Sequence, residues 1–154
     1  PDREAQAGDG AALGPGRAVS AAAAAGETGR VRVLLIDEEP EFTGLVADRL
    51  RSWGYEAVAA GDADEALAVQ AALRPEVAVL GVQGPPARAL ELMRLLRAAD
   101  PALKVILLLG RGAAGAGVRG MELGASDCLP LPLDLGALID SLRAAVSPHT
   151  TPGP

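Results

Sequence analysis

Across residues 31–146, short apolar runs alternate with longer stretches whose apolar positions recur every three or four residues. Residues 31–36 are nearly all apolar, the mark of a strand buried on both faces. Residues 40–53 follow with Phe42, Leu45, Val46 and Leu50 at helical spacing, and Gly54 is placed to end that helix. Residues 56–60 read as a second, weaker strand. Asp62, three positions before Glu65, makes a capping-box pattern that opens a helix to about residue 73. Residues 77–82 form a third buried strand, 87–99 a helix with Leu90, Met93 and Leu96 toward the core, and 104–109 a fourth strand. Residues 110–120 hold five glycines. Each costs a helix up to about 1 kcal/mol relative to alanine, so a mobile loop is predicted there. Helix is predicted only toward residues 118–123. A short fifth strand over 126–129 and a last helix, capped by Asp134 and running to about 146, complete the pattern.

Five buried strands alternating with helices predict an α/β protein with a parallel sheet covered on both faces. Right-handed crossovers favour a doubly wound five-stranded sheet of order 2-1-3-4-5, the flavodoxin-like arrangement. Ligands of such sheets bind at the carboxyl ends of the strands, so the chemistry is sought after strands one, three, four and five. Residues 1–30, rich in Ala, Gly and small polar side chains, lack a hydrophobic period and read as a disordered linker or tail, with at most transient helix over the alanine run. Residues 147–154 read as a second disordered tail, leaving 31–146 as the domain.

Composition narrows the function classes. Hydrophobic residues make up 49% of the chain but aromatics only 2%, so the core must be built from Leu, Val, Ile and Ala. A formal net charge of −6 with a single lysine disfavours direct nucleic-acid binding. Cys128 is the sole cysteine, which excludes an internal disulfide and a cysteine-cluster metal site. His149, the sole histidine, lies in the tail, which argues against a Ser/His or Cys/His catalytic pair. No apolar run reaches the roughly 18 residues of a membrane helix, and the expectation is a cytoplasmic, non-enzymatic protein.

The first strand ends in Asp37-Glu38-Glu39-Pro40. Adjacent carboxylates on a rigid edge suit a hard divalent cation, although taken alone they also read as solvated loop acids or helix N-terminal charges. They do not stand alone. The run from Val33 to Pro40, the segments Gly54-Tyr55-Glu56-Ala57-Val58 and Asp64-Glu65-Ala66-Leu67, the approach Arg74-Pro75-Glu76-Val77-Ala78-Val79-Leu80, and Leu123-Gly124-Ala125-Ser126-Asp127-Cys128-Leu129 with Leu131-Pro132-Leu133-Asp134 agree in order and spacing with one family. Together they resemble the response-regulator receiver (CheY-like) domain of two-component phosphorelay signalling.

The resemblance implies an acid pair at Asp37 and Glu38, a phosphoacceptor Asp ending strand three, a Ser or Thr ending strand four, an aromatic switch residue on strand five, and a Lys after it. It also implies Mg²⁺ held by the acid pair and the acceptor, and a cis bond before Pro132. The acid pair is present; Gly81 stands at the acceptor position, Leu109 at the Ser/Thr position, Cys128 at the switch and Leu131 at the Lys. Glycine has no nucleophile, and without the Lys a phosphoryl group loses its charge clamp. Mg²⁺ binding at Asp37 and Glu38 is then weak at most, and no other metal or cofactor is expected. Asp127 and Asp134 read as structural carboxylates and Cys128 as an inert small hydrophobe. The expected function is that of a pseudo-receiver acting by protein–protein interaction, through the family's helix four–strand five–helix five face: parts of residues 118–123, 126–129 and 135–146. Its partner would be another protein or linked signalling domains, with a homodimer left open. The alternatives are a phosphorylatable receiver with a displaced acceptor, or a small nucleotide-binding flavodoxin-like protein, for which Gly110-Arg111-Gly112 is a weak hint.

Overall fold

The structure is a computed structural model and describes residues 15–25 and 29–146. The expectations for 1–14, 26–28 and the tail 147–154 lie outside the described residues. Five strands form one parallel sheet of order β2-β1-β3-β4-β5. They are β1 (Arg32–Ile36), β2 (Glu56–Ala60), β3 (Val77–Val82), β4 (Lys104–Leu109) and β5 (Asp127–Pro130). Six helices accompany them: α1 (Pro15–Ala25), α2 (Pro40–Ser52), α3 (Ala63–Leu73), α4 (Pro86–Ala99), α5 (Ala114–Glu122) and α6 (Leu135–Val146). The chain divides into two compact units between Pro75 and Glu76.

In the first unit β1 and β2 pair from Arg32–Glu56 to Ile36–Ala60, and Asp37 N extends the ladder to Ala60 O at 3.2 Å. Val33, Leu34, Leu35 and Ile36 are all buried, as their unbroken apolar run requires. Pro40 opens α2, where a missing N–H costs nothing. The helix closes through Gly54, at φ +94°, with Gly54 N donating to Arg51 O and Tyr55 N to Leu50 O. That pair of bonds is a Schellman motif, whose left-handed position favours glycine. Helix α3 starts at the predicted cap: Asp62 Oδ1 accepts from Glu65 N at 2.8 Å, and Glu65 Oε1 accepts from Gly61 N, one residue before the cap, at 2.8 Å. Replacing Asp62 by alanine should therefore lower stability by about 1 kcal/mol. The shift of a urea midpoint measures it, with an unchanged slope marking an intact fold.

Helix α1 corrects the sequence expectation for residues 15–25, a linker with at most transient helix over the alanine run. It packs on α3 and β2, with Ala18 and Ala22 fully buried. An alanine-rich segment has too little apolar surface to declare itself by periodicity. Its order comes from a partner already present on α3, consistent with tertiary packing supplying most helix stability.

In the second unit β3 pairs β4 from Val77–Lys104 to Val82–Leu109, and β4 pairs β5 from Ile106–Asp127 to Leu109–Pro130. Val105, Ile106, Leu107 and Leu108 form its centre, with Leu138, Ile139 and Leu142 of α6 also buried. Ser141 Oγ donates to Asp127 Oδ2 at 2.8 Å, tying α6 to the start of β5. The guanidinium of Arg97 on α4 donates to the carbonyls of Pro101, Leu103 and Leu123.

Helix α5 is the second correction. A mobile loop with helix only over 118–123 was expected; the helix begins at Ala114. Gly117 and Gly120 form a packing face. A Cβ on Gly117 would lie 2.6 Å from Leu109 Cδ1, and one on Gly120 would overlap Leu107 Cδ1. Glycine's propensity cost is offset because only a bare backbone can lie this close to the leucines of β4. The helix ends at Gly124, φ +107°, where Gly124 N bonds Met121 O and Ala125 N bonds Gly120 O.

Candidate functional site

The acid pair sits in the first unit, immediately after β1. Asp37 is buried and Glu38 exposed. Asp37 Oδ1 accepts from Glu39 N at 2.9 Å, so one carboxylate oxygen fixes the turn into α2. This is the local bond by which Asp side chains favour the start of a helix.

The other mapped positions lie in the second unit, at the carboxyl ends of its strands. Gly81 pairs in register with Leu108, one residue before the Val82–Leu109 pair. Gly110 N donates to Val82 O at 3.0 Å and Leu131 N to Leu109 O at 2.9 Å, carrying the ladder past the strand ends. The structure thus brings Gly81, Leu109 and Leu131 to three adjacent strand ends, all partly exposed. None carries a carboxylate, hydroxyl or ammonium group. Leu109 and Cys128 converge at one helix position: a Cβ on Gly117 would meet Leu109 Cδ1 at 2.6 Å and Cys128 Sγ at 3.4 Å. Leu109 and Cys128 are therefore two apolar groups packed under α5. The Leu131–Pro132 peptide bond is cis.

Asp134 Oδ1 accepts from Ala137 N at 3.2 Å, so this carboxylate caps α6. Gly110 and Gly112 belong to a turn closed by Ala113 N to Gly110 O at 3.1 Å. A separate cavity of 220 Å³ lies at the amino-terminal ends of β4 and β5, lined by Lys104, Ser126, Asp127 and Ser141 among others. On α4, the hydrogen bond from the Arg94 guanidinium holds the Glu91 carboxyl below its ordinary range, at a fully solvated surface.

Two signals were missed in sequence. The inward face of α5 is one: Ala113, Ala116, Gly117 and Gly120 are all buried and recur at helical spacing, a stripe of small residues readable in advance. Docking of α1 is the other. On the outward side of α5, within the residues 118–123 expected in the interaction face, Val118 is 65% and Met121 46% exposed, with Leu123 exposed at the helix end.

A parallel doubly wound sheet of order 2-1-3-4-5, with acids closing its first strand, defines the CheY-like class. The chain belongs to the response regulator receiver domain family, whose sequence model matches residues 33–143. It is similar to the probable transcriptional regulatory protein TcrX of Mycobacterium tuberculosis, 33% identical over 114 residues, covering 74% of this chain and 49% of the relative. It is also similar to the nitrogen assimilation regulatory protein NtrX of Azorhizobium caulinodans, 36% identical over 109 residues, covering 70% of this chain and 24% of the relative. The chain thus spans half or less of the length of these relatives. Among solved structures, the receiver domain of NtrX from Brucella abortus matches with a TM-score of 0.69 at 30% identity, over 75% of this chain and 98% of that one. A receiver domain protein from Clostridium thermocellum shares the fold, with a TM-score of 0.72 at 21% identity over 78% of this chain and 97% of that one. Among the described residues no helix is long and apolar enough to cross a membrane.

The Mg²⁺ expected from the family takes carboxylates from the acid pair and the acceptor. Here the third position is Gly81, and an oxygen of Asp37 is already engaged by Glu39 N. Among the described residues no cluster of three or more His, Cys, Asp or Glu side chains could hold a metal ion. The donor set does not fit the family's metal site.

Proposed function

We propose that this chain is a pseudo-receiver: a cytoplasmic, non-enzymatic module of two-component signalling that works through protein contacts without accepting phosphate, and that holds Mg²⁺ weakly or not at all. One observation carries the reading. The ends of β3, β4 and β5 present Gly81, Leu109 and Leu131, which supply no nucleophile, no hydroxyl and no ammonium group. Acyl phosphate chemistry needs the first, and stabilisation of the transferred charge needs the others. The interaction role is supported by the outward side of α5. The helix seats Gly117 and Gly120 against β4 and leaves Val118 and Met121 exposed beside the Arg119–Glu122 ion pair. Exposed apolar side chains of this kind mark a contact surface for another protein or a linked domain.

The test is incubation with acetyl phosphate and Mg²⁺, followed by prompt intact-mass measurement in mild acid. The expected result is an unchanged mass. A stoichiometric adduct removed by hydroxylamine would overturn the reading and return the chain to the working receivers.

A further inference from the structure

The cavity at the amino-terminal ends of β4 and β5 lies at the opposite end of the strands from Gly81, Leu109 and Leu131. Its 220 Å³ is lined by Lys104, Ser126, Asp127, Ser141, Ala144 and Ala145. Strand geometry explains the set. Side chains alternate across a strand, so Lys104 shares a face of β4 with Ile106, which pairs Asp127 in register. Lys104 and Asp127 therefore leave neighbouring strands on the same side of the sheet, the side on which Asp127 meets Ser141 of α6. One strand across and two residues along, their side-chain roots stand about 8 Å apart.

The two charges do not pair. Lys104 is the chain's single lysine. Among the described residues its ammonium group has no hydrogen-bond or ion-pair partner, and neither has the Ser126 hydroxyl. Asp127 is engaged elsewhere: Oδ1 accepts from Cys128 N and Oδ2 from Ser141 Oγ, both at 2.8 Å. Those bonds fix the carboxylate and leave each oxygen a lone pair. Ser141, 6% exposed, has given its one donor to Asp127, so its Oγ offers the cavity acceptor lone pairs only.

The cavity thus has a donor side, Lys104 and Ser126, and an acceptor side, Asp127 and Ser141. A simple anion drawn to Lys104 meets the repulsion of Asp127, and a simple cation drawn to Asp127 meets that of Lys104. A molecule with a charge of each sign suits both sides at once. Ala144 and Ala145 add two methyl groups to the wall. At liquid water's share of roughly 30 Å³ per molecule, the space holds about seven non-hydrogen atoms. We infer that this cavity binds a small zwitterion of the α-amino acid class, its carboxylate on Lys104 and Ser126 and its ammonium on Asp127 and Ser141. The binding does not depend on the loss of phosphate chemistry and stands or falls without it.

Amide NMR of the full chain titrated with L-alanine tests this. L-Alanine should move the amide signals of Lys104, Ser126, Asp127 and Ser141 and saturate with a Kd on the order of a millimolar, as expected for a ligand of so few atoms. Acetate and ethylamine each carry one half of the charge pattern, and neither should saturate at a tenfold higher concentration. Lys104→Met should weaken L-alanine binding at least tenfold and Ser126→Ala about threefold, with melting temperatures showing that each variant is folded. Ser126→Ala, at an exposed position, decides the matter if Lys104→Met fails to fold. The inference is overturned if L-alanine gives no saturable shift at these residues, if acetate or ethylamine alone binds as tightly, or if the folded variants bind L-alanine as wild type does.

Discussion

Gly120→Leu should destabilise the protein by about 2 kcal/mol, while Gly115→Leu, in the same helix, should leave it as stable or raise it by up to about 1 kcal/mol. The two glycines differ only in what they face. Nothing lies within 4 Å of a Cβ on Gly115. Substitution there removes glycine's backbone entropy cost and adds a good helix former. A Cβ on Gly120 would overlap Leu107 Cδ1, with Leu107 Cγ at 3.6 Å and Leu90 Cδ2 at 3.7 Å. Leu107 is fully buried and has no solvent to swing into. Forcing a side chain into such a seat costs about 3 kcal/mol, against a propensity gain of about 1 kcal/mol. Urea midpoints of both variants measure the difference. Equal effects at the two positions would show that α5 does not rest on β4.

The same glycines show why some elements are legible in a sequence and others are not. The strands could be read because each is an unbroken apolar run, and burial on both faces leaves that run no other explanation. Helix α3 could be started at Asp62 because its cap is a local bond between residues three apart. Helix α5 was discounted because intrinsic propensity counts glycine against a helix wherever it occurs. The deciding fact is tertiary: the close approach of Leu107 and Leu109 makes glycine the residue that fits. Helix α1 was discounted because alanines spaced for packing look like alanines in a linker. Its signal lay elsewhere, in the second apolar face of α3.

For the candidate site, motif order named Asp37, Gly81, Leu109, Cys128 and Leu131, and the packing around them was not legible. That Asp37 spends an oxygen on Glu39 N depends on the turn into α2. That Leu109 and Cys128 meet at Gly117 depends on how α5 docks. Pattern and spacing do not carry such facts.

Introducing three side chains should confer phosphorylation on the proposed pseudo-receiver. Gly81→Asp, Leu109→Thr and Leu131→Lys together should give a chain that acquires one hydroxylamine-labile phosphoryl group from acetyl phosphate and Mg²⁺, where Gly81→Asp alone gives little. In the reaction an oxygen of the carboxylate introduced by Gly81→Asp attacks phosphorus, acetate leaves with the bonding electrons, and an acyl phosphate remains. The new carboxylate also supplies the third acid of the set that the family uses for Mg²⁺. The lysine and threonine supply the charge and hydrogen bond that stabilise the transferred group, contributions often worth about a hundredfold or more in rate for a single donor. The backbone can accept the changes, since Gly81, Leu109 and Leu131 are each only partly buried. Leu109→Thr is the most demanding of them, because it empties the space beneath Gly117 that the leucine fills. Melting temperatures of the triple variant and wild type therefore accompany the mass measurement. A folded triple variant that takes no phosphate would show that these three side chains are not enough for phosphate acceptance. An adduct on the triple variant, with none on wild type, would show that Gly81, Leu109 and Leu131 are what keep this chain from accepting phosphate.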